Sequence, residues 1–299
     1  MPSPIARTTQ LLSRRQKNWL RVQLTRVRRL WIERFRTYEP EDLRALLSEM
    51  GVSWGDTILL HSSFKPTNGF RGTPSDLLNV IRSLIGDDGS LVMMSMPYLS
   101  STSAYLASFP LFDVRRTPSR TGIVSEVFRR QRGVARSLSA THPVVALGAK
   151  ADWLVEGHGA CAYPCGPGSP FEKMYELRGK MLFFDLHLPS LGFTFVHYIE
   201  HQLRDRLSFP LYEESPLESR VVDHQGKERT QLVYTFTAQA SRRRNVGVII
   251  RAMQREGTAL SRRIGNTDIL IAGMAEALDT ALRLADDGTL PFDPEIGLR

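Results

Sequence analysis

The run from Asp56 to Ser95 constrains the fold more than any other part of the chain. Asp56-Thr-Ile-Leu-Leu-His61 is a short apolar segment that reads as a buried strand, ending in Ser62-Ser63-Phe64 and a loop that holds Gly69 and Gly72. Thr73-Pro74-Ser75-Asp76 then has the marks of a helix start: a hydroxyl to accept a free backbone N–H, a proline whose fixed φ suits the first turn, and a carboxylate near the positive end. The spacing predicts a helix over 74–85, a turn at Gly86-Asp-Asp-Gly89 and a second strand over 90–95. Strand, capped helix and strand in succession are the rhythm of an α/β layer structure.

The flanking segments extend that rhythm. Residues 41–50 form a helix that Gly51 stops, 97–120 form a surface loop placed to frame a site, and 123–130 form another helix. Strands follow at 144–147 and 180–184, with Ser169 capping a helix that starts at Pro170. A helix over 194–207, a hairpin of 220–223 and 230–236 turning at His224-Gln-Gly226, and a last helix over 267–286 complete the chain. The expected architecture is one large layered α/β domain over 38–299, with a mixed central sheet flanked by helices, preceded by a basic amphipathic helix within 1–37.

The charge belongs almost wholly to that leader. Residues 1–37 hold ten Lys or Arg against the single acid Glu33, whereas the remaining 262 residues carry 29 bases and 30 acids. Leu20, Leu24, Val27, Trp31 and Phe35 recur at helical spacing between the basic positions. Such a stripe serves an anionic membrane surface, an acidic polymer, or packing against the body or a second copy. Nothing else in the chain resembles a nucleic-acid fold, so nucleic acid is not an expected partner; peripheral membrane contact and self-association through residues 10–36 both stay open. No apolar run reaches the ~18 residues of a membrane span. Cys161 and Cys165, a lone C-x3-C pair, make neither a zinc site nor a disulfide framework, so no metal is expected. The expected location is cytoplasmic, with the inner membrane surface as a peripheral site.

Chemistry concentrates in Thr194-Phe-Val-His-Tyr-Ile-Glu-His201. His197 and Glu200 stand at i and i+3 on one helix face, so the carboxylate can orient the ring, or both can converge on one ligand proton. A capped helix with a solvated His–Glu pair is the bland alternative. Thr194, one turn earlier, offers a hydroxyl either to a substrate or to the helix as its N-cap.

Several segments together resemble the aminoglycoside 3-N-acetyltransferase (antibiotic N-acetyltransferase) family: Gly55–Phe64; Thr117-Pro-Ser-Arg-Thr-Gly-Ile123 with Glu126 and Phe128-Arg-Arg130; Arg136-Ser137 with His142-Pro143; Gly166-Pro-Gly-Ser-Pro170; and Val196-His-Tyr-Ile-Glu200. The resemblance runs from about residue 38 to Arg263-Ile-Gly-Asn266 and leaves the leader out. It implies acetyl transfer from acetyl-CoA to an amine of an amino sugar, aminoglycoside or glycan- or nucleotide-linked, with His197 as the base, Glu200 as its partner and Thr194 beside them. It also assigns CoA to His61, Ser62, Ser63 and Phe64 and to Thr121, Gly122 and Ile123. Arg136 is a candidate for phosphate or for a structural ion pair, and His142 for local hydrogen bonds or a catalytic role. Familiar members carry acids before the Gly-x-Gly-Ser-Pro turn and just upstream of the site histidine; here those places read Ala162-Tyr163, Pro167 and Ser190-Leu191. Fewer carboxylates mean less attraction for a polycation, so the expectation is an acceptor with one amine. An acyltransferase using another acyl-CoA, or an inactive relative recruited as a binding protein, are the competing readings.

Overall fold

The computed structural model describes residues 13–186 and 193–293. In chain order the elements are α1 (Arg14–Phe35), α2 (Pro40–Glu49), β1 (Thr57–Ser62), α3 (Pro74–Ile85), β2 (Ser90–Met94), α4 (Thr102–Ala107), β3 (Leu111–Asp113), α5 (Ile123–Arg129), β4 (Ala135–Arg136) and β5 (Val144–Gly148). They continue with α6 (Ala151–Val155), α7 (Pro170–Glu176), β6 (Lys180–Phe184), α8 (Val196–Gln202), β7 (Leu217–Val222), β8 (Glu228–Val233), α9 (Ala238–Arg243), α10 (Gly247–Arg255), β9 (Ala259–Ile264), β10 (Thr267–Gly273) and α11 (Met274–Asp286).

Seven strands form one sheet in the order β4-β5-β2-β1-β6-β10-β9. Its centre is parallel, with β1 between β2 and β6, and its flanks are antiparallel, so the sheet is mixed as expected. Because side chains alternate along a strand, each strand feeds two cores. Ile58, Leu60, Leu91, Met93 and Leu182 pack under α2, α3 and α5. Leu59, Val92, Met181 and Phe183 pack under α6, α7, α8, α10 and α11. The predicted cap of α3 is present: Asp76 N donates to Thr73 Oγ1 at 3.2 Å and Thr73 N donates to Asp76 Oδ2 at 2.7 Å. The hairpin is β7 with β8, and β3 joins β7 in parallel to make a second, three-stranded sheet.

Four expectations change. The last helix begins at Met274; residues 267–273 are strand β10, which places Ile269 and Ile271 in one core and Leu270 and Ala272 in the other. An apolar run buried on both faces has no periodicity to separate helix from strand. The site helix is shorter than 194–207: α8 closes at Gln202 and a single 3-10 turn, Arg204–Arg206, follows. The expected loop at 97–120 contains α4 and β3. Ser169 stands at the N-cap of α7, yet its side chain makes no capping bond.

The leader forms a helix, but the described part of its stripe does not pack on the body: Leu24, Val27, Trp31 and Phe35 are exposed, and among the described side chains of the helix Ile32, off the stripe, is the buried one, while the Leu20 side chain lies outside the description. The root of α1 is fixed by backbone. Tyr38 N donates to Gly69 O, Arg71 N donates to Tyr38 O, and the Tyr38 hydroxyl bonds Thr267 Oγ1 at 2.6 Å. A Cβ at Gly69, where φ is +88°, would lie 2.1 Å from the Arg36 carbonyl oxygen, so glycine is needed for this approach.

Candidate active site

The parallel strands β1, β2 and β6 all end on the same edge of the sheet, where the chain leaves β1 toward β2 on one side and leaves β6 toward the β10 side on the other. Ligands in open α/β sheets bind outside the carboxyl ends of strands at such a point. A cavity of about 400 Å³ opens at that edge. Its lining brings together His61 and Ser62 from β1, Met94 from β2, Thr121 and Ser125 from the start of α5, and Thr194, residues far apart in sequence. Tyr98, Leu99, Ser100 and Arg120 add the ends of the 97–120 segment, which does frame the site.

The residues read as CoA contacts divide. His61 stacks on Phe183 with centroids 5.1 Å apart, and its buried Nε2 has no partner; burial pulls its pKa down to about 4, so the ring is neutral. Thr121 bonds the Met94 carbonyl oxygen at 2.8 Å and faces the cavity with Ser62. Gly122 holds φ +124° with open space at its missing side chain, and Ile123 is exposed beside it. Ser63 is tied to the sheet through its N–H on the Phe184 carbonyl, while the Phe64 ring packs against Phe70 and Phe184; Ser63, Phe64, Gly122 and Ile123 are not among the cavity's lining residues.

Thr194 is not the side-chain cap of α8, whose N-cap is Phe195 with no capping bond. Its carbonyl accepts from His197 N at 3.0 Å, and its side of the chain faces the cavity. One turn on, His197 Nδ1 lies 2.9 Å from Glu200 Oε2. Glu200 is completely buried and takes two further bonds from Arg244, Nε to Oε1 at 2.5 Å and NH2 to Oε2 at 3.1 Å. Burial alone would raise this carboxyl, but His197 and the Arg244 guanidinium together hold it below the ordinary carboxylate range. An ionised carboxylate only accepts, so Nδ1 must carry the proton and Nε2 is left as the lone-pair nitrogen. Burial, reinforced by the Arg244 charge, lowers the His197 pKa and keeps the ring neutral near pH 7. The solvated-pair alternative is thereby removed.

Two neighbours of His197 escaped the sequence reading. Arg244 sits in Arg242-Arg243-Arg244, a run that looks like a solvated face; in fact Arg243 crosses the Phe209 ring and only Arg244 reaches Glu200. Phe236 lies 4.6 Å from the His197 ring, and from it an aromatic wall continues through Tyr212, Tyr163 and Tyr234 at centroid separations of 5.1, 4.7 and 4.7 Å. His142 makes its local bond to Thr141 but also stands edge-on to His197 at 5.7 Å. Arg136 forms no ion pair among the described residues: it is buried, donates to the carbonyls of Ser95, Val114 and Thr117, and covers Phe112. The Ser190-Leu191 departure lies outside the described residues. Cys161 and Cys165 are free thiols. Among the described residues no group of His, Cys, Asp or Glu could hold a metal, and no helix is long and apolar enough to cross a membrane.

Burial of several imidazoles has a measurable consequence. His61 and His158 are both pulled down to about 4 by burial, and His142 falls well below its ordinary value for the same reason. The unfolded chain protonates these groups near pH 6.5, the folded chain only at lower pH, near 4 for His61 and His158. Their neutral burial therefore contributes full stability above pH 6.5 and loses it as pH falls toward 4. The melting temperature should decline steadily from pH 6.5 to 4; a flat profile between 6.5 and 5 would contradict the buried, uncharged rings.

The family model for aminoglycoside 3-N-acetyltransferase matches residues 59–285. Similar curated proteins include aminoglycoside N(3)-acetyltransferase IV from Salmonella sp, 32% identical over 143 residues covering 47% of this chain and 51% of that protein. Aminoglycoside N(3)-acetyltransferase VII from Streptomyces paromomycinus is 28% identical over 167 residues, covering 52% and 57%. The matched region thus spans little more than half the length of these relatives. Among solved structures, the aminoglycoside acetyltransferase AAC(3)-Xa superimposes with a TM-score of 0.72 at 20% identity, covering 90% of this chain and 99% of that one. AAC-IIIb, solved with CoASH, gives 0.68 at 21% identity, covering 86% and 100%. With the family match spanning most of the sheet and every segment of the cavity, the chain belongs to the aminoglycoside 3-N-acetyltransferase family.

Proposed function

We propose that this protein transfers an acetyl group from acetyl-CoA to an amine of an amino sugar. The reading rests on one observation: an imidazole whose Nδ1 lies 2.9 Å from a buried carboxylate, one turn from a threonine that lines the cavity at the sheet's carboxyl edge. His197 Nε2 takes a proton from the bound ammonium. The freed amine nitrogen attacks the thioester carbonyl carbon; the C–N bond forms, the C–S bond breaks, and the proton that the nitrogen sheds on becoming an amide passes to the leaving sulfur, so CoA departs as the thiol. Thr194 and Ser62 supply hydroxyls in the cavity for the thioester arm. Glu200 acts on the ring, since Arg244 and His197 already occupy its oxygens. The CoASH complex of AAC-IIIb supports the donor, and a gentamicin-bound AAC(3)-IVa supports an amino-sugar acceptor. Release of CoA thiol from acetyl-CoA, dependent on an amino sugar or aminoglycoside from a panel, tests the reading; no turnover with any of them, or equal turnover without acceptor, overturns it.

The acceptor side is aromatic. Tyr163 stands where familiar members carry an acid, and it stacks at 14° on Tyr234 within the wall that ends on His197. Such rings bind the apolar face of a sugar and do not need several ammonium groups, which favours an acceptor with one amine. Tyr163→Ala should raise the acceptor KM about tenfold, leaving that for acetyl-CoA unchanged. A preference for kanamycin- or gentamicin-class drugs over every monoamino sugar would refute this acceptor choice.

A further inference from the structure

The N-terminal helix α1 is a surface of a different kind, and its partner does not depend on the catalytic reading. It is 22 residues long, about 33 Å at 1.5 Å per residue. Trp19, Leu24, Val27, Leu30, Trp31 and Phe35 all stand 47% exposed or more. At about 100° per residue these six positions fall on one broad face, and six of the eight cations stand on the other side by helical position, with the exposed Val22 among them. The helix holds eight Lys or Arg and a single acid, Glu33, which is already paired with Arg29 at 2.7 Å. Arg36 and Arg34 lie over the rings of Trp31 and Phe35, so cations flank the aromatic end of the stripe.

The way the helix is attached leaves this face open. Ile32 makes the buried contact with the body, and it lies about 100° around from Trp31, on the basic flank. Its root is then held by Tyr38 and Gly69, on the loop that leaves β1 beside the cavity. Packing to the body therefore uses the wrong side of the helix to cover the stripe.

Charge decides between the possible occupants. A second copy of α1 would bury the stripe but bring two strongly cationic helices together. An acidic polymer would satisfy the cations but leave Leu24, Val27 and Leu30 in water. An anionic lipid surface meets both needs, since headgroups take the arginines and the acyl boundary takes the aliphatic and indole groups. We infer that α1 docks this protein on anionic phospholipid surfaces, lying in the plane of the interface.

The test is co-sedimentation of the full-length protein with vesicles of phosphatidylcholine alone and of phosphatidylcholine with about 30% phosphatidylglycerol. Binding to the anionic vesicles should exceed binding to the neutral ones by at least tenfold and weaken with salt. Leu24→Glu/Trp31→Glu, at exposed positions, should cut anionic binding at least tenfold without changing the melting temperature. Equal pelleting of wild type and that variant, or no pelleting of either, overturns the inference. A wild-type dimer that the variant abolishes, without vesicle binding, would assign the face to a second copy instead. Retention on RNA with no vesicle binding would likewise overturn it.

Discussion

His197→Ala is expected to lower kcat by roughly 10²–10⁴-fold, the usual contribution of a positioned general base, with affinity for CoA within about twofold of wild type. The split follows from position. The ring lies one turn past the cavity residue Thr194, and the proposed thioester contacts are the hydroxyls of Ser62 and Thr194, not the imidazole, so the loss falls on proton removal. Calorimetric titration with CoA beside steady-state kinetics measures both. A variant that lost CoA binding along with turnover would show that the imidazole builds the pocket and does not act as the base. In the wild type, the acid limb of kcat/KM should fall below pH 6.5, because the ring must be neutral to accept a proton and its pKa is lowered by burial and by Arg244.

Glu200 carries the second large effect, this time on stability as well as rate. Removing one member of a buried ion pair typically costs about 3–5 kcal/mol, because the partner is left charged and uncompensated. Glu200→Ala should therefore lower the melting temperature by roughly 10 °C, at 2–4 °C per kcal/mol for a domain of this class. Glu200→Gln keeps the shape but ends the ionised acceptor that fixes Nδ1–H, and kcat should drop at least about 10²-fold. Combining either change with Arg244→Met removes the stranded cation, so the double variant should be more stable than the Glu200 single variant while remaining inactive. If the double variant lost the sum of both single effects, the pair would not be coupled. The pH dependence has a definite sign. The folded carboxyl is held below its ordinary value, so its contribution is present above about pH 4.3 and fades as pH falls further; the gap between wild type and Glu200→Ala should narrow on the acid side.

How much of this could be read in advance depended on how local the cause was. The α3 start was legible because Thr73 and Asp76 satisfy each other's backbone within one turn. His197 and Glu200 were legible as a pair because helix geometry alone sets them on one face. The strand at 267–273 was not, since its burial on both faces comes from β6 on one side, β9 on the other and helices above and below. Arg244 was hidden among three identical neighbours, whose fates diverge only when Phe209 and Glu200 are brought to them.

The sequence by itself determined the α/β layering, the Thr73 cap of α3, the imidazole–carboxylate spacing and the amphipathic character of the leader, all of which arise from residues within a turn or two of one another. Tertiary structure decided the rest: which residues share the cavity, which of the three arginines neutralises Glu200, that an aromatic wall ends on His197, and that the apolar side of α1 faces outward. Those depend on desolvation and on contacts between segments tens to hundreds of residues apart, and burial of a charge or exposure of a stripe is a property of the assembled layers, not of the segment that carries it.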